Sequence, residues 1–188
     1  MDTVAVEPSA AMRAMLVHRC REATVLAGSA EDVALPDATV DLVVAGQAFH
    51  WFDRDRAVPE IRRVLRPGGI LALLYNARQD AVRWVGALSR IISGTGDHVG
   101  ETEHHEPPDL PGLEPAGSLR APHEQELDAD GLVDLVGSRS YAILLPPDER
   151  AAMLARVRAL TRTHPELVGR QHFAMPYVTT VERYRLRS

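Results

Sequence analysis

The segment Gly46-Gln47-Ala48-Phe49-His50-Trp51-Phe52 brings together the groups of this chain best suited to handling a small organic molecule. Histidine is the side chain most often used as a general base, so His50 is a candidate wherever an acceptor must give up a proton. Where no proton leaves, positioning does most of the work and the imidazole lines the site instead. Trp51 and Phe52 offer apolar ring faces to a substrate, or fill the core at the top of a sheet. The segment follows a strand-like run, and it is too aromatic for an ordinary surface loop.

Other constellations carry less. Gly94-Thr95-Gly96-Asp97-His98-Val99-Gly100 imitates a nucleotide loop, but it follows a helical pattern and its third Gly stands one place late for Gly-x-Gly-x-x-Gly. A helix end and loop account for it. His98, Glu101, Glu103, His104 and His105 are of metal-ligating type without paired helical spacing, so no metal is expected. Arg156, Arg158 and Arg162 read as a solvated helix face, with an acidic substrate as the alternative partner. There is no Gly-x-Ser-x-Gly elbow for hydrolase chemistry. All 21 basic residues are Arg. The absence of Lys excludes a P-loop lysine, a Schiff-base lysine, a kinase lysine and a Tyr-x-x-x-Lys dehydrogenase pair.

The elements that must position the aromatic segment are legible from periodicity. Val40 to Ala45 and Ile70 to Tyr75 are short apolar runs bounded by Asp, Pro and Gly, and both predict strands buried on both faces. Val58, Ile61, Val64 and Leu65 recur at helical spacing between them. Strand, helix, strand is a parallel crossover unit, and ligands of such sheets bind beyond the carboxyl ends of the strands, where Gly46 to Phe52 lies. Upstream, Thr3 to Val6 predicts a strand, Ser9 caps a helix carrying Met12, Met15, Leu16 and Arg19, and Thr24 to Leu26 predicts another strand. Downstream come a helix from about Asp80 to Ile92, a long loop from Ser93 to Gly117 and weak strand character over Leu119 to Leu127. Asp128 then caps a short helix, a stronger helix starts at Pro147, and Phe173 to Leu186 alternates as a terminal strand.

The chain's 188 residues suit one domain with a real core. Within that domain, residues 1–76 read as a cofactor-binding half and 77–188 as a variable, substrate-facing part. A net charge of -5 leaves no global basic footprint for nucleic acid. No apolar run is long enough to span a bilayer and no signal-peptide pattern opens the chain, so a cytoplasmic location is expected. The lone Cys20 fits a reducing compartment.

The motifs Val-Ala-Val-Glu-Pro-Ser, Gly-Ser-Ala-Glu-Asp-Val-Ala-Leu-Pro, Asp-Leu-Val-Val-Ala-Gly-Gln-Ala-Phe-His-Trp-Phe-Asp and Glu-Ile-Arg-Arg-Val-Leu-Arg-Pro-Gly-Gly-Ile-Leu-Ala-Leu-Leu-Tyr-Asn occur in this order between Val4 and Asn76. Together they resemble the class I S-adenosylmethionine-dependent methyltransferases, and the Gln-Ala-Phe-His-Trp-Phe and Arg-Pro-Gly-Gly segments look most like the branch of trans-aconitate methyltransferase relatives. The resemblance implies an α/β Rossmann-like sheet with helices on both faces, S-adenosylmethionine as cofactor and a small-molecule acceptor, an organic acid among the candidates. It implies that Glu7 accepts hydrogen bonds from the cofactor's ribose hydroxyls, a task that suits a carboxylate because it only accepts. Ala30 and Glu31 would line the adenine pocket, Gln47 and Ala48 would pass the methionine portion, and His50, Trp51 and Phe52 would face the methyl group or the acceptor.

The departures from the family pattern carry expectations of their own. The first family strand and its Gly-x-Gly-x-Gly loop would precede Thr3 and are absent, so a truncated chain or a degenerate paralogue is expected. In family topology that strand lies between those at Thr3 and Val40. Its loss would leave two edges to close up, swap or recruit another chain, which keeps a homodimer open. Two rivals follow: a non-catalytic remnant of the fold serving binding or dimerisation, and a nicotinamide oxidoreductase, for which the dinucleotide fingerprint is lacking.

Overall fold

The computed structural model describes residues 2–94 and 107–187. The chain forms two compact units, Met1–Tyr75 with Pro107–Leu119 and Val181–Ser188, and Asn76–Glu106 with Arg120–Thr180.

In the first unit β1 (Thr3–Glu7) and β2 (Ala23–Ala27) pair in parallel, from Thr3 beside Ala23 to Glu7 beside Ala27. The helix α1 (Ala10–Arg19) connects them, and the Ser9 hydroxyl accepts from the Met12 N–H at its start. β3 (Val40–Gly46) and β4 (Leu65–Arg78) pair in parallel, Leu42 beside Ile70 through Gly46 beside Leu74, with α2 (Arg54–Val64) between them in sequence. This is the crossover unit expected from the apolar periodicity. Adding β5 (Leu113–Leu127) and β6 (Phe173–Leu186), the strands form two sheets, one of β1-β2 and one in the order β3-β4-β6-β5. Among the described residues, β1 thus pairs with β2 alone and β3 with β4 alone.

β3 departs from the expectation of burial on both faces. Leu42 and Val44 are 45% and 55% exposed, while Ala45 is buried. Among the described residues no element buries Leu42 and Val44, and α1 has no buried residue, with Met12, Met15 and Val17 exposed. β5 also begins earlier than the loop expected through Gly117: Pro115 and the positive-φ Gly117 hide a strand that tolerates them because it ends the sheet.

The first core joins Phe49, Val58, Ile61, Leu65, Leu71, Leu73, Tyr75 and Tyr184. A clamp on α2 holds the segment before β3. Glu60 accepts from the Val33 N–H at 2.8 Å, and Arg63 reaches the carbonyls of Val33 and Leu35, the Asp37 carboxylate and Glu60 itself. The hydrogen-bonded Arg63 guanidinium pulls the Glu60 carboxyl down to about 2 from 4.5, and the two carboxylates hold Arg63 charged. A depressed folded pKa stabilises fully above the unfolded value near 4.5 and loses that stabilisation as the pH falls toward about 2. Glu60→Gln is therefore expected to be less stable than wild type at neutral pH, the gap closing on acidification in urea titrations. A gap of constant size would show that Glu60 acts through packing.

The second unit packs α3 (Arg83–Ser93), α4 (Ala129–Gly137) and α6 (Pro147–Thr163) around a second core including Trp84, Leu88, Leu132, Met153, Val157, Phe173 and Met175. Trp84 and Phe173 meet edge to face at 5.3 Å. Asp128 caps α4 by accepting from the Gly131 N–H, as its type and place imply, and Pro147 opens α6. A four-residue helix, α5 (Ser140–Ile143), is too short for periodicity to show. No helix of the described residues is long and apolar enough to cross a membrane.

Candidate functional site

The predicted site residues all fall in the first unit. The register of β1 on β2 puts Glu7 and Ala27 side by side at the carboxyl ends of both strands. Glu7 is half-buried there; its Oε1 accepts from the Ser9 N–H at 2.8 Å, and its Oε2 has no partner among the described residues. Arg13 fastens the corner by donating to the carbonyls of Glu7 and Pro8 at 2.9 and 2.7 Å. A carboxylate whose second oxygen is uncommitted at a strand end can accept from a ligand's hydroxyls.

Past β2, Ser29 and Asp32 exchange backbone hydrogen bonds at 3.2 and 3.3 Å, and Ala30 and Glu31 form the centre of that turn. Gly28 leads into it because a Cβ there would come within 2.8 Å of the Asp32 carbonyl and 3.1 Å of Val6. Glu31 then reaches across the unit, its Oε1 accepting from the Asp53 N–H at 3.0 Å. The Ser29 hydroxyl and the Asp53 amide hold the Glu31 carboxyl below its ordinary range. Glu31 therefore ties down the N–H of the N-cap residue itself at the start of α2, where the Asp53 side chain makes no capping bond.

The aromatic segment sits on this support. Gln47 takes a positive φ of 52° and donates its N–H to Leu74 O at 2.9 Å, turning the chain off the end of β3. Ala48 precedes a single 3-10 turn, Phe49–Trp51. Phe49 is the buried foot of the turn and packs edge to face on half-buried Phe52 at 5.6 Å. His50 and Trp51 point the other way: Trp51 is 65% exposed, and the two rings lie 5.2 Å apart at 43°. So the structure brings Ala30, Glu31, Gln47, Ala48, His50, Trp51 and Phe52 to one end of the strands, with the Glu31 to Asp53 bond as the link, and Glu7 stands at the carboxyl end of β1 beside Ala27. A surface depression of about 410 Å³ lies at Thr3, Arg19 and Ala23, the amino ends of β1 and β2, away from these groups.

Sequence reasoning passed over Arg54, whose guanidinium lies 5.4 Å from the Phe49 ring centroid, and the Glu60 and Arg63 clamp. The three-residue spacing of Glu60 and Arg63 along α2 was the available signal for the clamp. No cluster of metal-ligating side chains occurs among the described residues, and the His98 to His105 set, like most of the Gly94 to Gly100 segment, lies outside them.

An α/β crossover with a carboxylate, a tight turn and an aromatic segment at the carboxyl ends of parallel strands is the architecture of the Rossmann-type folds. Residues 1–73 match the family model of the methyltransferase domain. An uncharacterized methyltransferase of Mycobacterium tuberculosis is 41% identical over 190 residues, covering 99% of this chain and 75% of its own. An uncharacterized methyltransferase-like protein of Schizosaccharomyces pombe is 32% identical over 156 residues, 81% of this chain and 61% of its own. Among solved structures, one from Anaeromyxobacter dehalogenans described as a type II methyltransferase superposes with a TM-score of 0.58 at 22% identity, over 99% of this chain and 80% of that one. The chain belongs to the methyltransferase family and has its class I α/β fold.

Proposed function

We propose that this protein binds S-adenosylmethionine through its first unit and transfers the methyl group to a small organic acceptor, with organic acids as the leading class. The observation that carries the reading is the Glu31 to Asp53 hydrogen bond, which ties the turn after β2 to the aromatic segment after β3 across 22 positions of sequence. The residues present fit the adenosine portion of the cofactor: Glu7 keeps one carboxylate oxygen uncommitted at the end of β1. When bound, S-adenosylmethionine supplies an electrophilic methyl group on a sulfonium sulfur.

The chain's own residues then have separable tasks. Glu7 would accept from the two ribose hydroxyls, and the Ala30 to Glu31 turn would flank the adenine edge. The backbone of Gln47 and Ala48 would run beside the methionine portion. Trp51 and Phe52 would present apolar faces to the acceptor and exclude water from it. A carboxylate acceptor has no proton to lose, so His50 orients it; a hydroxyl or amine acceptor would make His50 the base.

A second reading is a methyltransferase-fold module for binding or dimerisation. It draws on the single-sided pairing of β1 and β3 among the described residues. Calorimetric titration of the folded chain with S-adenosylhomocysteine separates the two. Saturable binding supports the enzyme, and a folded chain that releases no heat with either S-adenosylhomocysteine or S-adenosylmethionine favours the module.

A further inference from the structure

Arg78, near the end of β4, is 7% exposed, and its Nε has no hydrogen-bond partner. No hydrogen bond or ion pair joins its guanidinium to any described residue. Other guanidinium groups of the chain are engaged: Arg66 with Asp41, Arg83 with Glu166, Arg158 with Asp130 and Arg187 with Glu114, all at the surface. Its Nε is fully buried, while the terminal nitrogens, which make no hydrogen bond either, keep the contact with solvent through which an anion could reach them; a guanidinium this enclosed with no carboxylate beside it is a favourable seat for an anion.

Arg78 shares its sheet face with uncharged side chains, among them Tyr177 of the second core. Gln79 donates its N–H to Pro176 O at 3.0 Å, and Thr179 Oγ1 donates to Asn76 Oδ1 at 2.7 Å, which sets β4 and β6 running in opposite directions with Arg78 across from Tyr177. Strand alternation puts Asn76 and Arg78 on the same face. Thr179 Oγ1 also lies 3.3 Å from His123 Nδ1 on β5, and the His123 ring stacks on Tyr177 at 5.3 Å and 14°. Asn76 and Thr179 are half-buried and His123 is exposed, so this polar row runs from the face that carries Arg78 out to solvent. All of these residues belong to the second unit.

We infer that Arg78 anchors a carboxylate-binding subsite, with Asn76, Thr179 and His123 as its neutral walls, and that its occupant is a small organic acid. The planar fork of a guanidinium matches a carboxylate through two parallel hydrogen bonds. One fixed positive charge among neutral neighbours balances one carboxylate, whereas a doubly charged phosphate calls for more cations. That the acid is the methyl acceptor rests on the methyl-transfer reading above; the subsite itself does not.

The test uses acetate, a single carboxylate, as probe and phosphate as control at constant ionic strength, with thermal unfolding and calorimetry on the full chain. Acetate is expected to raise the wild-type midpoint saturably and phosphate to do so far less. Arg78→Met should weaken acetate binding at least about 30-fold, and Arg78→Lys, which keeps the charge without the fork, about 10-fold. The ligand-free Arg78→Met chain should unfold at or above the wild-type midpoint, because it no longer encloses an unpaired charge. S-adenosylhomocysteine affinity should be the same in all three. A flat wild-type response to acetate, an equal response to phosphate, or an intact acetate response in either variant would overturn the subsite. Acetate binding that depends on Arg78 in a chain with no affinity for S-adenosylhomocysteine would keep the subsite and remove the methyl-transfer reading.

Discussion

Replacing Glu7 with alanine is expected to weaken S-adenosylhomocysteine binding about 10- to 100-fold, the worth of one or two hydrogen bonds to a charged acceptor. Glu7 sits at the carboxyl end of β1 with Oε2 uncommitted, and only Oε1 is engaged, by the Ser9 N–H. The substitution therefore removes a ligand-directed acceptor and one exposed local hydrogen bond. The second loss is small because the Ser9 hydroxyl still accepts from Met12 at the start of α1. Glu7→Gln separates charge from shape: an amide presents one acceptor oxygen and two N–H donors, so it should recover only part of the affinity. Calorimetry on the three chains reads this directly. Equal affinities would make Glu7 a solvated strand end and move the ribose contact elsewhere.

Phe49→Ala carries the largest expected effect on stability, a loss of about 3–5 kcal/mol in urea unfolding. Phe49 is 1% exposed and is the foot on which the 3-10 turn stands. Its ring packs edge to face on Phe52 at 5.6 Å and joins the core of Ala45, Val58, Ile61, Leu71 and Leu73. The Arg54 guanidinium, 5.4 Å from the ring centroid, adds about 0.5 kcal/mol of cation–π attraction and loses its seat as well. The truncation leaves a cavity beneath Gln47 to Trp51, so ligand affinity should fall together with stability. Phe49→Leu, which keeps most of the volume, should recover the larger share of both. A loss under about 1 kcal/mol for the alanine variant would mean that the turn stands without its foot.

How much of this was legible in advance differs by element. Periodicity found the parallel crossover because Val58, Ile61 and Val64 obey helical spacing and the runs at Val40 and Ile70 are too short and apolar for anything but strands. The same reasoning misjudged Leu42 and Val44, since an apolar run records a tendency to be buried and carries no information about whether a neighbour is there to bury it. β5 was read late because Pro115 and Gly117 resemble loop residues, and only its place at the end of a sheet explains why they are tolerated. For the candidate site, the motif resemblance singled out Glu7, Glu31 and the aromatic segment as expectations but gave no sign of the bond from Glu31 to Asp53, a contact set by folding across the unit. Arg78 had no sequence signal at all. One arginine among 21 basic residues looks like any other until the burial around it is known.

The division of the strands into two sheets has a consequence on the clock of amide exchange. β4 and β6 are flanked by strands on both sides, while β1 and β3 are flanked on one. Along β1 and β3 every second N–H faces away from its only partner, and with nothing else covering it that amide should exchange with deuterium on the timescale of local fraying. The amides of Leu71 to Leu73 in β4 should instead wait for cooperative opening of the core. A protection map that alternates along β1 and β3 and runs unbroken through β4 would be the solution signature of two sheets. Protection made uniform along β1 and β3 by an added segment or second chain would mark the moment at which the two become one.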